Sequence, residues 1–555
     1  MIPPLPLLRA PPFPWADATV SNFAAGAAAQ IADPSAMFAA VGEARVGGRF
    51  WADPAGLTHP AGTVLRPRTI AEISTLRRAN AVWIAPFAGR SWAGALAGEE
   101  WRGDVDPWSV LRDAQALAAH GDDEWIVLAR VMGASVEVLS PGRFGVPGDD
   151  GGTLDRLAAQ ALGAAIWRDP FTGEPSTMAA AVELLGSWRT VLDANRPIVA
   201  ACGMAWWKRK EISHFLWHPQ RPLRIVSASA RALSIARKAD GGTGGAVAIW
   251  PSRVSPALTR NARAQGTALV QVEDGFVRSV GLGVDLVPPS SVVVDALGIH
   301  FDPAGPSDLE KILNNTETPP RLLERAAALR ETIVAAGISK YSAGTVSSVP
   351  ERQPGKRLIL VPAQVADDMS VIAGGGELVA RAGLGANLEL LRRVRAAEPD
   401  AEIWFRPHPD VDAGHRKGAV PDAEVLAFAD RIVRGGGMAP LLDAVDAVHV
   451  LTSLTGFEAL MRGREVICHG APFYAGWGLT RDLGEVPKRR TRKLSLDALV
   501  AGVLILYPRY LDPVTGLPCP PEVLVRRMAT SSAPNRLGWI APLRRWQGKL
   551  MSTSR

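Results

Sequence analysis

The stretch Val448–Thr480, VHVLTSLTGFEALMRGREVICHGAPFYAGWGLT, restricts the fold more than any other part of the chain. It opens with a short apolar run, Val448–Leu451, which predicts a buried strand. Ser453, Thr455 and Gly456 follow, and then a helical pattern through Phe457, Leu460 and Met461. A strand that ends in small hydroxyl residues at a helix start is a ready anion site. The first backbone N–H groups there have no partner within the helix, and the helix dipole favours negative charge. Glu458, one turn inside, is spaced to take the hydroxyls of a ribose. A lone S-x-T would read as an ordinary capped helix. What sets this stretch apart is its tail: a second apolar run, Glu465–His469, and then the aromatic–glycine string PFYAGWG.

At 555 residues the chain is too long for one typical core, so two or three domains are expected. The excess of 61 basic over 55 acidic residues is mild. It does not by itself imply nucleic acid, and it suits an anionic substrate or a membrane surface at least as well. Cys202, Cys468 and Cys519 are odd in number and far apart, which argues against a disulfide framework or a zinc site. The N-terminus, MIPPLPLLRAPPFPWAD, reads as a flexible arm rather than a signal peptide. No apolar run reaches the roughly 18–20 residues needed to span a bilayer. A cytoplasmic protein is expected, with a peripheral place on the inner membrane surface left open.

From Thr69 the pattern turns α/β, with a helix predicted over Ile70–Asn80 and a strand over Val82–Pro86. Asp106–Phe144 then repeats the rhythm of 439–474: helix, short strand, polar turn, helix, strand, Pro–aromatic end. DPFTGEP at 169–175 returns as DPVTGLP at 512–518. The chain therefore carries a duplication with a shortened first copy. In that copy GDDEW stands where the second has TSLTGFE, so the hydroxyl cap and the glycine are gone. Alternating strands and helices through the rest predict parallel sheets covered on both faces. The strands are expected at Ile198–Cys202, Leu223–Val226, Ala246–Ile249, Ala268–Val272, Arg357–Val361, Glu402–Phe405, 447–451 and 465–469.

Four polar clusters follow strands, where ligands bind in such sheets. Glu273-Asp274-Gly275-Phe276, with Arg278 and Ser279, follows ALVQV. Gln364, Asp367, Asp368 and Ser370 follow RLILVPA. Arg406-Pro407-His408-Pro409-Asp410 follows EIWF, and Ser453–Glu458 completes the set. Paired carboxylates serve as nucleophile and acid/base at an anomeric carbon. Arginine and histidine neutralise a leaving phosphate. Each cluster also has a plain structural use: a turn carboxylate at Glu273 or Asp274, a helix cap at Asp367-Asp368, and packing in PFYAGWG.

In order and rough spacing these motifs resemble the capsule polysaccharide family of KpsC type. The resemblance rests on GMAWWKRKEI (203–212), EDGFVRSVGLG (273–283), VVVDALGIHFDPAGPSDL (292–309), ISKY (338–341) and PAQVADDMS (362–370). RPHPD (406–410), TSLTGFEALMRG (452–463), PFYAGWGLT (472–480) and YPRYLDPVTG (507–516) complete it. The family consists of retaining β-Kdo glycosyltransferases that build a Kdo linker on a lipid for capsule assembly and export. Members often carry two such modules in tandem. IHFD at 299–302 departs from the tyrosine pair usual in the family.

The resemblance implies an α/β fold with two Rossmann-like halves in a GT-B-like arrangement, preceded by a truncated, degenerate α/β module. The expected divisions are an arm of no assigned role over 1–65, a degenerate repeat over 66–196, and an acceptor-side half over 197–345. A nucleotide-sugar half over 346–484, C-terminal helices over 485–530 and a basic amphipathic tail over 531–555 follow. Trp539, Leu543, Trp546 and Leu550, with Arg544, Arg545 and Lys549 beside them, give that tail an interfacial composition.

The resemblance further implies Asp368 as nucleophile, with Asp367 as the alternative, and Glu273 as the acid/base. His408, Pro409, Ser453 and Thr455 would hold the cytidine phosphate and Glu458 the ribose. Gln364 belongs to the same nucleotide site, and Arg278 or Arg406 would grip the sugar carboxylate. No cofactor and no metal are expected; CMP-Kdo is the donor substrate. Expected partners are a lipid-linked Kdo acceptor, other capsule assembly and export proteins and the inner membrane surface, with no nucleic acid. Two other readings fit the same residues: a non-catalytic assembly or export protein that binds the lipid-linked glycan, or a GT-B transferase using another nucleotide sugar.

Overall fold

A computed structural model describes residues 6–23, 33–85, 90–239, 244–279, 287–339, 349–412, 414 and 416–530. The amphipathic tail, part of the EDGFVRSVGLG and ISKY motifs and the first five residues lie outside them. The chain forms two compact units. The first is Met1–Pro197 with Leu216–Leu223, and the second is Ile198–Phe215 with Arg224–Arg555.

The first unit holds a five-stranded parallel sheet in the order Trp101–Arg102, Ala81–Ile84, Thr63–Leu65, Ala116–Ala119, Ser135–Val138. Thr63–Leu65, inside the expected arm, is the central strand. The residues before it are also packed. Leu7, Leu8 and Phe13 are buried, the Phe13 ring lies 4.7 Å from that of Trp217, and Arg9 forks onto Glu124 at 2.6 and 2.8 Å. The apolar residues between the prolines find a core to join, so the described residues among 1–65 are packed into this unit and do not form an arm. The helix predicted over Ile70–Asn80 is shorter. It runs as a 3-10 turn at Ile70–Glu72 and a helix at Ile73–Leu76, after which Arg77 turns extended and Asn80 takes a left-handed φ of 55°.

The second unit contains two sheets. One has six strands, all parallel, in the order Arg431–Ile432, Glu402–Arg406, Leu358–Pro362, Ala447–Val450, Glu465–Cys468, Arg481–Asp482. Leu358–Pro362, Glu402–Arg406 and Ala447–Val450 are buried at every position, as expected of strands covered by helices on both faces. The other sheet has seven strands. Arg224–Ile225, Ile198–Cys202, Ala246–Ile249 and Leu269–Asp274 run parallel, and Ser291–Asp295, Pro508–Leu511 and Pro518–Cys519 continue it antiparallel. Residues 485–530, expected as helices, thus supply two strands to this sheet as well as helices.

The two stretches matched in the sequence lie in sheets of like strand order. In both all-parallel sheets the first strand lies centrally, the next two add on one side and the later ones on the other. The DPFTGEP and DPVTGLP turns repeat a hydrogen-bond pattern. Asp169 Oδ1 accepts from Phe171 N, and Asp169 O from Gly173 N; Asp512 Oδ1 accepts from Val514 N, and Asp512 O from Gly516 N.

Candidate active site

In the six-stranded sheet the order of strands reverses between Leu358–Pro362 and Ala447–Val450, and a crevice opens outside the carboxyl ends at such a point. Gln364 and Thr452 stitch this point together. The Gln364 amide accepts from Thr452 N at 2.9 Å and donates to Thr452 Oγ1 at 3.0 Å. Asn387 holds the Gln364 backbone from behind, accepting from its N–H at 3.0 Å and donating to its carbonyl at 2.8 Å. Gln364 therefore shapes the crevice rather than reaching into it.

Beside this clasp, Ser453 caps the helix Leu454–Met461. Its Oγ accepts from Thr455 N at 3.2 Å and donates to Thr455 Oγ1 at 3.1 Å. Gly456 admits the Tyr474 side chain: a Cβ there would lie 2.2 Å from the Tyr474 hydroxyl oxygen, which donates to Ser453 O. Glu458 is buried and lines a small, mainly apolar pocket with Ile333, Leu454, Phe457, Met461 and Leu504.

Asp368 is the N-cap of the helix Met369–Gly374, accepting from Ser370 N at 3.0 Å and Ser370 Oγ at 2.7 Å. Asp367 is exposed and pairs with Arg416 at 3.3 Å. His408 opens the short helix Pro409–Asp412, with Pro409 exposed at its first position. The Nδ1 of His408 accepts from Asp410 N at 3.2 Å, so the neutral ring carries its proton on Nε2 as a donor. Arg406 turns to backbone carbonyls. It is buried, and its guanidinium donates to Val433 O at 3.1 Å, Gly436 O at 2.8 Å and Gly435 O. Those carbonyls lie beyond the end of the neighbouring strand and need donors.

Glu273 is the last residue but one of the strand Leu269–Asp274 in the other sheet, and its Oε1 accepts from Asp274 N at 3.0 Å. Asp274 is held between two cations, Lys208 Nζ at 2.9 Å and Arg278 Nε at 2.8 Å. Arg278 is buried, and it also donates to Val287 O at 2.9 Å and Ser279 Oγ at 2.8 Å. Like Arg406 it is engaged by the protein's own groups, the Asp274 carboxylate among them. The buried Lys208 ammonium lies 3.6 Å from the Trp250 ring centroid. Burial pushes it below the usual lysine range, and Asp274 pulls it partly back. The Lys208–Asp274 pair was not anticipated. The signal was present, because GMAWWK and EDG each follow a strand and strands of one parallel sheet end on one side.

The strand-end loops of the two sheets meet in a cluster of rings. Phe276 of EDGF lies 4.7 Å from Phe473 of PFYAGWG and 4.8 Å from His300 of IHFD; Phe473 lies 5.6 Å from Phe457 of TGFE. Tyr507 donates to the buried Asp295 at 2.8 Å. Tyr474 and Trp477 are fully buried, so much of the aromatic string is packing. That packing brings together loops carrying Glu273, Ser453 and Gly456. In the first unit the matching crevice is occupied by protein. Arg66 bonds Asp123 at 2.6 Å and lies 4.2 Å from the Trp125 ring centroid, and His120 contacts Glu72 at 3.0 Å and Ser140 at 2.9 Å.

Residues 245–510, which include every candidate except those of the Trp206–Lys210 segment, match the family described as capsule polysaccharide biosynthesis protein. The lipopolysaccharide-processing protein LpsZ of Rhizobium meliloti is 38% identical over 320 residues, covering 57% of this chain and 70% of LpsZ. The chain belongs to this capsule polysaccharide biosynthesis family. The capsule polysaccharide modification protein LipA of Neisseria meningitidis is 38% identical over 362 residues, covering 65% of this chain and 50% of LipA. The chain thus spans about half the length of that curated relative. Among solved structures, KpsC of Thermosulfurimonas dismutans, described as a beta Kdo 2,4 transferase, is 31% identical. It covers 60% of this chain and 98% of its own, with a TM-score of 0.51. Among the described residues no helix is long and apolar enough to cross a membrane.

Proposed function

We propose that this chain is a retaining glycosyltransferase that moves Kdo from CMP-Kdo onto a lipid-linked β-Kdo acceptor in capsule assembly. The observation that carries the reading is the meeting, through Phe276 and Phe473, of strand-end loops from two α/β sheets, one bearing Glu273 and the other the Ser453 helix start. The likeness to the beta Kdo 2,4 transferase over nearly that whole protein supports it.

In the proposed reaction the donor phosphate lies against the amides at the start of Leu454–Met461, with the Nε2–H of His408 as a further donor. An Asp368 oxygen attacks the anomeric carbon, and the bond to the phosphate oxygen breaks as CMP leaves with its electron pair. Glu273 then removes the proton of the acceptor hydroxyl. That oxygen displaces Asp368 from the anomeric carbon, and two inversions give net retention. Glu273, protonated at the end, returns its proton to solvent.

The test is CMP release from CMP-Kdo generated in situ, with a β-Kdo-bearing acceptor, comparing wild type with Asp368→Asn and Glu273→Gln. The expected result is turnover in wild type and a loss of about 100-fold or more in each variant. Full activity in either variant would remove that residue from its role. Acceptor binding without any turnover would instead favour the non-catalytic capsule-assembly protein.

A further inference from the structure

The segment Trp206–Lys210 follows strand Ile198–Cys202 and so leaves its sheet on the side where the parallel strand Leu269–Asp274, which carries Glu273, also ends. Two of its residues turn inward. Lys208 reaches Asp274, and the Trp207 ring lies 5.1 Å from Lys208 Nζ and 5.9 Å from the Arg278 guanidinium. These contacts fix the turn and leave Trp206 outside it. Trp206 is 60% exposed, whereas every other Phe, Tyr or Trp whose side chain is described is buried or half-buried. An indole left in water keeps a large apolar face available, and nothing in the packing of the turn requires it there.

The charges beside it narrow what that face would take. The 3-10 turn Trp206–Lys208 runs directly into the helix Arg209–Phe215. Arg209 and Lys210 stand three and four residues after Trp206, the spacing that places side chains on one helical face. Both are exposed. A flat aromatic flanked by two cations matches the ring of a sugar acid. The C–H groups on one pyranose face lie on the electron-rich indole face, and the carboxylate turns to the guanidinium and ammonium.

We infer that Trp206, with Arg209 and Lys210, forms an acceptor subsite for an acidic sugar ring on the side of the sheet where the strand bearing Glu273 ends. As an acceptor site this rests on the transferase reading; as a binding site it is tested independently. The probe is the methyl β-glycoside of Kdo, followed by ligand-observed NMR on the full chain, with methyl galactoside as the neutral control. Wild type is expected to bind the acidic glycoside. Trp206→Ala should weaken that binding by roughly tenfold or more, and Trp206→Phe should restore most of it. Arg209→Ala with Lys210→Ala should weaken the acidic glycoside and leave the neutral one unchanged. CMP affinity, read by thermal shift, should stay constant throughout. In turnover, Trp206→Ala should raise the acceptor KM with little change in kcat. No binding to wild type, or equal binding to Trp206→Ala, would overturn the subsite. Trp206-dependent binding in a protein that releases no CMP from CMP-Kdo would leave the subsite standing and remove the transferase.

Discussion

Gln364 and Thr452 exchange two hydrogen bonds across the point where the strand order of the six-stranded sheet reverses. Both ends of the amide are used, so the pair fixes the separation of the loops carrying Asp368 and Ser453. Removing it in Gln364→Ala leaves a largely buried Thr452 N–H without that acceptor, a loss of about 1–3 kcal/mol. Gln364→Glu keeps the acceptor for Thr452 N, and the Thr452 hydroxyl can rotate to donate to it, so this change should be milder. Denaturant unfolding of both variants, alongside CMP titration, checks the expectation. Equal stability of Gln364→Ala and wild type would mean the clasp adds nothing.

Gly456 and Tyr474 interlock at the start of the helix behind Ser453. An added methyl at 456 would meet the Tyr474 hydroxyl, and Tyr474 is fully buried with nowhere to retreat. Gly456→Ala should cost about 1–3 kcal/mol through overpacking. Gly456→Ala with Tyr474→Phe should recover part of that, because the colliding oxygen is gone. The readout is a double-mutant cycle on unfolding free energy; strict additivity would show that the two do not touch.

Asp368 both caps a helix and is the proposed nucleophile, and the two roles separate by substitution. Asparagine caps as well as aspartate does, so Asp368→Asn should unfold like wild type while losing turnover. Asp368→Ala should lose turnover and about 1 kcal/mol of stability. Asp367→Asn removes only an exposed pair with Arg416 and should change stability by less than about 1 kcal/mol, with turnover kept. Paired melting curves and CMP-release rates decide between the two carboxylates.

Strands such as Ile198–Cys202 and Ala246–Ile249 were legible to the residue because a short apolar run bounded by turn residues encodes them locally. The partners of Arg278 and Arg406 were not legible because a long side chain at a strand end reaches many places. Its partner is chosen by tertiary neighbours, here Asp274 and the carbonyls after Arg431–Ile432. The membership of Pro508–Leu511 in the seven-stranded sheet was hidden likewise, since its partner Ser291–Asp295 lies some two hundred residues earlier.

Acid should destabilise this protein through histidines buried in neutral form. Burial depresses His449 to about 3, with His469 beside it as a second cause, and depresses His469 and His218 each to about 4. In the unfolded chain each would take a proton near pH 6.5. Below that pH the unfolded state binds protons that the folded state refuses. Stability is therefore full above about pH 6.5 and is lost as the pH falls toward 4, by up to about 1.4 kcal/mol per pH unit for each group. Denaturant midpoints between pH 7 and 5 should fall, and His218→Asn should flatten the slope. An unchanged midpoint over that range would show that these rings do not stay neutral in the folded protein.

The first unit keeps the strand order of a nucleotide-binding sheet but fills the crevice with Arg66, His120 and Asp123. Its strand-end loop is closed by Gly121, where a Cβ would lie 2.3 Å from Gly145 O and 2.4 Å from Gly142 N. Both obstacles are backbone, so neither can swing away. Gly121→Ala should destabilise the unit by about 1–3 kcal/mol and expose it to proteolysis, while CMP affinity, proposed to reside in the second unit, stays as in wild type. Limited proteolysis with fragment identification, run beside CMP titration, reads the two effects separately. A fall in CMP affinity matching the loss of stability would place nucleotide binding in the first unit, and the filled crevice would have to open to accept it.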